Sequence, residues 1–377
     1  FAVFLTIMPP PDSDKAPKPR NLRDYHRPPR IKLGAVGSRI PALSAESKRC
    51  LRNLSAYKAP PERIPFPRTR CAAVLVALFV GRRGDLHVLL SRRSSTLRSY
   101  AGDTALPGGK VDPDDGSLED AAVSDPSLRR IRKPQSRSAG RHLRRYACSG
   151  MMKGRFLNVC PCMCQIGLPA DKLKVPLLCI LSPVVASNYL VVTPVVVLIL
   201  DNTLRPILNT AEVASLFSHP LASFLSSSPP FSTEPELVEV PYHTTSDWRY
   251  PGPNGQMYFS RGHRFLTGRE AGGIKPVFGL TAAILIDAAC IAHRRVPEFE
   301  LTHPEGMTRE ARLAWIVYSQ PAFRTAYEVE GIEVDWEQIR RLAGVVDDRG
   351  DIDRKGDEKK DTLSKQRRRI PKNKSKL

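Results

Sequence analysis

The fold of this chain is decided by the stretch from Leu89 to Lys110, which reads LLSRRSSTLRSYAGDTALPGGK. Two leucines end a strand-like run, and Arg93 and Arg98 follow at the start of a loop rich in serine and glycine. Arginines in such a loop can bind several phosphate oxygens through charge-assisted hydrogen bonds. The adjacent glycines allow the backbone to come close to a diphosphate. The alternative is a basic loop after a hairpin, followed by an ordinary Pro-Gly-Gly turn.

The pattern on both sides of this stretch predicts alternating strands and helices. The run 71–80 is apolar and β-branched, 81–85 supplies a turn, and 86–91 is the returning strand. We expect further strands at 173–181, 190–200, 238–242 and 256–259, and helices at 211–225, 278–293 and, with an interruption near Gln320-Pro321, 308–342. This alternation is typical of a layered α/β domain.

The 89–110 stretch resembles the signature that precedes the Nudix box in coenzyme A diphosphatases. Leu106 stands where that family has Phe, and weaker likenesses occur at 211–225 and 276–282, so the resemblance covers about residues 70–295. It implies a Nudix-type α/β/α sandwich with a mixed β-sheet, flanked by disordered basic tails. The matching positions are Arg93, Ser94, Arg98, Gly102, Pro107, Gly108 and Gly109.

The same resemblance implies a function. The family cleaves coenzyme A or its thioesters, with Mg²⁺ or Mn²⁺, into adenosine 3′,5′-bisphosphate and a phosphopantetheine fragment. The residues that would bind the substrate are Arg93, Arg98, Gly102, Gly108 and Gly109.

The second half of the Nudix box is interrupted in this chain. Counting from Gly109, the first acidic position falls on Asp115, and Glu119 follows, so these two are the candidate metal ligands. The pattern should then continue as Arg-Glu-Ala-x-Glu-Glu-Ile-Gly-Leu, but it returns only at Ile166-Gly167-Leu168, and no Glu occurs between Asp120 and Gln165. Segment 123–164 is either a genuine insertion or translated intron sequence. In both cases this glutamate-rich helix is absent, and we expect little hydrolysis. The alternative function is a non-catalytic module that binds coenzyme A or a nucleotide.

The composition divides the chain into segments. We predict a disordered Pro- and Arg-rich extension at 1–65, apart from a short helix near Ser44–Tyr57, and a Nudix domain at 66–300 with an unstructured insert at 123–164. A helical segment follows at 301–345 and a charged tail at 346–377.

The net charge of +20 is concentrated in 1–70, 123–164 and 359–377, which leaves the remainder mildly acidic. We therefore expect no specific nucleic-acid partner. The longest apolar stretch, around 173–200, is broken by Ser182-Pro183 and Ser187-Asn188, so no membrane span is expected either.

The residues Ser375, Lys376 and Leu377 match the address that the peroxisomal import receptor reads. The charged tail before them would supply an accessible approach. The sequence therefore predicts a peroxisomal location and the import receptor as a partner.

Cysteines and histidines provide weaker signals. Cys160, Cys162 and Cys164 resemble a metal-binding run, but no second pair with zinc-site spacing follows, and reduced thiols are the favoured interpretation. His219 and His243 lie near prolines and turns, where histidines are more often structural, and they receive no catalytic role.

Overall fold

The computed structural model describes residues 43–97, 100–111, 174–200, 211–230, 241–270 and 273–346. The helices are α1 (Ala45–Ala56), α2 (Gly279–His293), α3 (Arg309–Ser319), α4 (Pro321–Glu330) and α5 (Trp336–Ala343). The strands are β1 (Cys71–Val80), β2 (Leu86–Arg93), β3 (Thr104–Ala105), β4 (Gly108–Lys110), β5 (Leu177–Ile180), β6 (Val184–Val185), β7 (Val191–Leu198), β8 (Val213–Pro220), β9 (His243–Pro251), β10 (Met257–Glu270) and β11 (Gly273–Phe278).

The larger sheet has the order β3-β2-β1-β7-β5, with β4 paired to β1, β6 to β7 and β8 to β2. The β1–β2 pair is the antiparallel hairpin that the sequence predicts, while β1 and β7 run parallel. The smaller sheet has the order β11-β10-β9 and is antiparallel. The predicted α/β fold with a mixed sheet is confirmed.

Strand β1 explains why the core has two sides. Successive strand side chains point to opposite faces, so Val76 and Leu78 enter one apolar cluster while Leu75 and Ala77 enter another. The first cluster also contains the buried residues of α1 and α2. Together these contacts fix the helices on one face of the sheet.

Helix α1 belongs to this core. Ser44 caps it by accepting a hydrogen bond from the Ser47 amide (3.1 Å), and Ser47 Oγ donates to the Gly84 carbonyl in the β1–β2 turn (2.6 Å). Leu51 and Leu54 are 0% exposed, and burying each stabilises the fold by roughly 1.5–3 kcal/mol. The short helix that the sequence predicts near Ser44–Tyr57 is therefore present, and the sheet covers the apolar face of this amphipathic stretch. The end of the extension at residue 65 stays a prediction. The other segment boundaries stay predictions, and residues 1–42, 112–173 and 347–377 lie outside the described residues.

The helix predicted for 211–225 is wrong. The structure has strand β8 and then a short 3₁₀ helix, Leu221–Leu225. Val213, Phe217 and Leu221 are spaced four residues apart, which imitates one face of a helix. Pairing with the open edge of β2, from His87↔Pro220 to Arg93↔Val213, overrides that local pattern.

A hairpin lies around 251–255, between the predicted strands at 238–242 and 256–259. Its incoming strand is β9 at 243–251; of the predicted 238–242 only 241 and 242 are described, and these two are not in a strand. Both hairpin strands are much longer than the apolar runs in the sequence, because β10 pairs with β9 along one edge and with β11 along the other. Polar residues such as Thr244 and Asp247 fill exposed positions of β9 and conceal it from an apolar-pattern search.

The C-terminal helices form a third cluster with Ile64 and Val191. Gln320 ends α3 and caps α4, whose first residue is Pro321, so the interruption that the sequence predicts lies where two helices meet. Glu330 at the end of α4 accepts hydrogen bonds from the amides of Arg68 and Thr69 (both 2.8 Å), which ties this layer to the start of β1. Within the described ranges, no helix has the length and apolarity needed to cross a bilayer.

Candidate functional site

The predicted substrate-binding residues lie where β1 and β2 separate. The two strands pair only next to their turn, from Leu78↔Val88 to Val80↔Leu86. Farther along, segment 104–110 lies between them, because β3 pairs with β2 and β4 pairs with β1. This arrangement brings Arg93, at the end of β2, close to the strand that leads to Gly108 and Gly109.

The loop between β2 and β3 is closed at its base. The Arg93 amide donates to the Asp103 carbonyl (2.9 Å), and the Ser94 amide donates to the Glu212 carbonyl (2.7 Å). Ser94 is buried, and its hydroxyl lies 2.8 Å from Thr96 Oγ1. The half-buried Arg93 therefore lies at an end of β2 that backbone hydrogen bonds hold in place. Arg98 lies outside the described residues.

Glycine is required at different positions of the signature for different physical reasons. A Cβ on Gly108 would lie 2.3 Å from the Ala73 carbonyl oxygen and 2.8 Å from Val74 Cα, so only glycine allows β4 to pack this closely on β1. Gly102 has φ +75° and open space around the position of a Cβ. Gly102 is thus required by backbone conformation and Gly108 by close packing. Gly109 pairs with Ala73 in the β1–β4 ladder.

Two residues that the sequence did not single out border the same loop. Tyr100 is 57% exposed with φ 54°, and its hydroxyl lies 2.6 Å from Ser187 Oγ, in the turn before β7. At the other side, Thr281 in the first turn of α2 donates from its hydroxyl to the Thr104 carbonyl (3.5 Å). Neither contact has a local sequence signal, because each joins segments far apart in the chain.

The candidate metal ligands Asp115 and Glu119 lie outside the described residues, as do Cys160, Cys162, Cys164 and the 375–377 tripeptide. In the part of the chain that the structure does describe, no three His, Cys, Asp or Glu side chains come together as a metal site.

His219 and His243 contact other aromatic side chains of the protein. His219 is 1% exposed; its Nε2 lies 2.8 Å from the hydroxyl of Tyr242, which donates to the Ser223 carbonyl (3.3 Å). His243 Nε2 lies 3.1 Å from His263 Nδ1. Burial, with a smaller contribution from the neighbouring His87, lowers the pKa of His219 to about 3. A neutral, enclosed imidazole of this kind agrees with the structural role that the sequence suggested.

Burial of His219 predicts acid sensitivity. Its pKa is about 3 in the folded protein and roughly 6.5 when unfolded, so the unfolded state binds more protons between these values. The contribution of His219 to the free energy of unfolding is fully present above pH 6.5. It falls by about 1.4 kcal/mol for each pH unit below that value, which is roughly 2 kcal/mol at pH 5. Urea unfolding of the protein and of His219→Gln at pH 5 and pH 7.5 measures this. An equal pH dependence in both proteins would contradict the prediction.

Comparison with known proteins gives a consistent set of relatives, although no family model matches the chain. The chain is 32% identical over 169 residues to an uncharacterized Nudix hydrolase, NudL, of Photorhabdus laumondii subsp. laumondii, covering 45% of this chain and 68% of that protein. It is 30% identical over 229 residues to Nudix hydrolase 15, mitochondrial, of Arabidopsis thaliana, covering 60% of each. A third relative is peroxisomal coenzyme A diphosphatase 1 of Saccharomyces cerevisiae, 25% identical over 299 residues, covering 67% of this chain and 79% of the yeast protein.

The coverage differs between these relatives. The chain spans only 60% of the length of the Arabidopsis protein above and 58% of a second one, Nudix hydrolase 22, chloroplastic. It spans more than two thirds of the bacterial relative at 32% identity.

Proposed function

Because the chain belongs to the Nudix hydrolase family, we propose that it recognises a diphosphate anhydride, with coenzyme A or one of its thioesters as the substrate. Cleavage would give adenosine 3′,5′-bisphosphate and a phosphopantetheine or acyl-phosphopantetheine fragment. The coenzyme A assignment is supported by the 89–110 signature and by the similarity to the yeast diphosphatase.

One structural observation carries the proposal. The loop that holds Arg93 and Arg98 begins at a fixed point of β2 and returns through Gly102 into the strand between β1 and β2. Arginines on such a loop can reach several phosphate oxygens at once, and their planar fork suits bidentate contacts. In this proposal Arg93 and Arg98 bind the phosphates, while Gly102, Gly108 and Gly109 shape the surface against which they lie.

A binding experiment tests this assignment. Calorimetry with coenzyme A, in the presence of Mg²⁺, is expected to give at least tenfold weaker binding for Arg93→Gln than for the unchanged protein, because charge-assisted phosphate contacts are lost. Arg341→Gln, at an exposed position on α5, is the matched control for loss of one positive charge and should leave the affinity unchanged. If Arg93→Gln binds coenzyme A as tightly as the control, Arg93 is not part of the site.

Catalysis needs more than substrate binding. A bound Mg²⁺ or Mn²⁺ would supply charge neutralisation at the diphosphate and would lower the pKa of the attacking water. Asp115 and Glu119 are the proposed residual ligands, and the sequence that should complete the set is missing between Asp120 and Gln165. We therefore propose that this chain hydrolyses coenzyme A poorly.

The same interruption supports a second candidate function, a non-catalytic module that binds coenzyme A or a nucleotide. The expected phosphate-binding side of the signature is present through Gly109, with Leu106 in place of Phe, whereas its later glutamates have no counterpart. Binding in calorimetry together with no release of adenosine 3′,5′-bisphosphate would favour the module; release at an ordinary enzymatic rate would exclude it.

We also propose a peroxisomal location, read from Ser375, Lys376 and Leu377 by the import receptor. The yeast relative is named as peroxisomal, while the two plant relatives are named as mitochondrial and chloroplastic. A fluorescent protein fused in front of 347–377 should give a punctate signal that coincides with a peroxisomal marker. A diffuse signal, or a punctate one that persists after Leu377 is deleted, would contradict the proposal.

A further inference from the structure

A cavity lies between α1 and the C-terminal end of α2. Its volume is about 530 Å³, within the range of roughly 300–1,000 Å³ that is usual for small-molecule sites. Its polar lining consists of Glu46, Arg49, Arg52, Asn53, His293 and Arg294.

The walls of this cavity are held in place by the core. Arg49, Asn53 and Ala56 follow one another at helical spacing and so share a face of α1. The Asn53 side-chain amide donates to the Ala292 carbonyl (2.7 Å), which joins that face to the last turn of α2. On the inner side Cys50 is 1% exposed and its Sγ lies 3.5 Å from His293 Nδ1.

The charge of the cavity is not balanced by its own carboxylate. Glu46 Oε1 lies 2.9 Å from Nδ1 of His293, whose side chain is only 8% exposed. None of the ion pairs found among the described residues includes Arg49, Arg52 or Arg294. Three guanidinium groups that share one concave surface repel each other, and an anion placed between them would relieve that repulsion.

Arg294, at the edge of the cavity, has a strained backbone conformation. It terminates α2 in the left-handed conformation, with φ 49° and ψ 43°, at the position where helices usually have glycine. A side chain with a Cβ is strained there, so an arginine at this position costs stability that glycine would not. Such strain is often found at functional sites.

We propose that the cavity between α1 and α2 is a second binding site, which takes a small molecule carrying a phosphate monoester or free phosphate. Arg49, Arg52 and Arg294 would bind the phosphate oxygens, and Asn53 and His293 would border the remainder of the ligand. The site is separate from the diphosphate site, because Thr281 at the other end of α2 contacts Thr104 beside the candidate loop. A helix of this length separates the two by roughly 20 Å.

The test is a calorimetric titration of the full chain with inorganic phosphate and, separately, with AMP, both at the same ionic strength. We expect at least tenfold weaker binding of the phosphate group in Arg49→Gln/Arg294→Gln. The control Arg341→Gln removes the same kind of charge at an exposed position on α5 and should retain the affinity. Equal affinities for the two probes identify a free-phosphate site, and tighter binding of AMP identifies a phosphomonoester of a larger molecule.

Arg294→Gly separates binding from stability. Because glycine relaxes the left-handed backbone, this variant should unfold at a higher temperature than the unchanged protein while it binds phosphate more weakly. Unchanged affinity in this variant and in the double variant overturns the proposal. In that case the arginines only neutralise the C-terminal carbonyls of α2, and their removal would change the unfolding temperature alone.

Discussion

Gly108→Ala is expected to lower the free energy of unfolding by about 3 kcal/mol, because the new methyl group would overpack a place where two strands lie in close contact. Its Cβ would be 2.3 Å from the Ala73 carbonyl oxygen and 2.8 Å from Val74 Cα. Both neighbours are backbone atoms of β1, which is held on its other edge by β7, so they cannot move aside as the end of a flexible side chain could. The measurement is the midpoint and slope of urea unfolding.

Gly102→Ala is the matched control. Gly102 has a positive φ of +75° but nothing within 4 Å of the position of a Cβ, so alanine there should cost only about 1 kcal/mol of backbone strain. A Gly108→Ala protein as stable as Gly102→Ala would show that β4 can separate from β1 without cost. That result would place the glycine requirement on substrate approach instead of packing.

A large loss of stability in Gly108→Ala would also mean that this glycine is not by itself evidence of substrate binding. Gly108 belongs to the glycine pair that the sequence assigns to the substrate, yet its contact with β1 gives a sufficient structural reason for glycine. The functional weight of the signature therefore rests on Arg93 and Arg98, whose charges the strand pairing does not require.

The sheet could be predicted from the sequence wherever apolar, β-branched runs are flanked by turn residues. Strands β1, β2, β5 and β7 satisfy that condition, and the predicted hairpin of β1 and β2 is present, whereas the parallel pairing of β1 with β7 was not predicted. Strand β8 does not, because four-residue spacing of Val213, Phe217 and Leu221 is equally compatible with a helix, and only the open edge of β2 decides between them. Local periodicity contains no information on which edge is open.

The candidate site was predicted to a similar extent. The serine- and glycine-rich loop expected after Arg93 is present in part, whereas the pairing of segment 104–110 with β1 and β2 was not predicted. The Tyr100–Ser187 contact and the cavity beside α1 depend on segments that are distant in sequence. Such contacts form only when the sheet brings the segments together, so no motif search along the chain could find them.

The largest change in activity is expected from restoring the interrupted box. Replacing 123–165 by the six residues Arg-Glu-Ala-x-Glu-Glu would connect Ala122 through this sequence to Ile166-Gly167-Leu168 and complete the family pattern. We expect release of adenosine 3′,5′-bisphosphate from coenzyme A to rise by about a thousandfold, since groups that activate water typically contribute 10²–10⁴-fold. The assay contains Mg²⁺ or Mn²⁺, and a chelator should abolish the gained activity.

A chimera with Gln in place of the last two glutamates controls for the shorter connection. It shares the loop length of the active chimera but lacks its carboxylates, so it should remain as slow as the unchanged chain if metal-binding oxygen atoms are what the interruption removes. Equal gains in both chimeras would assign the effect to removal of 123–165 as an obstruction. Turnover of the unchanged chain at an ordinary rate, about 1 s⁻¹ or faster, would instead mean that carboxylates outside the expected pattern perform the reaction.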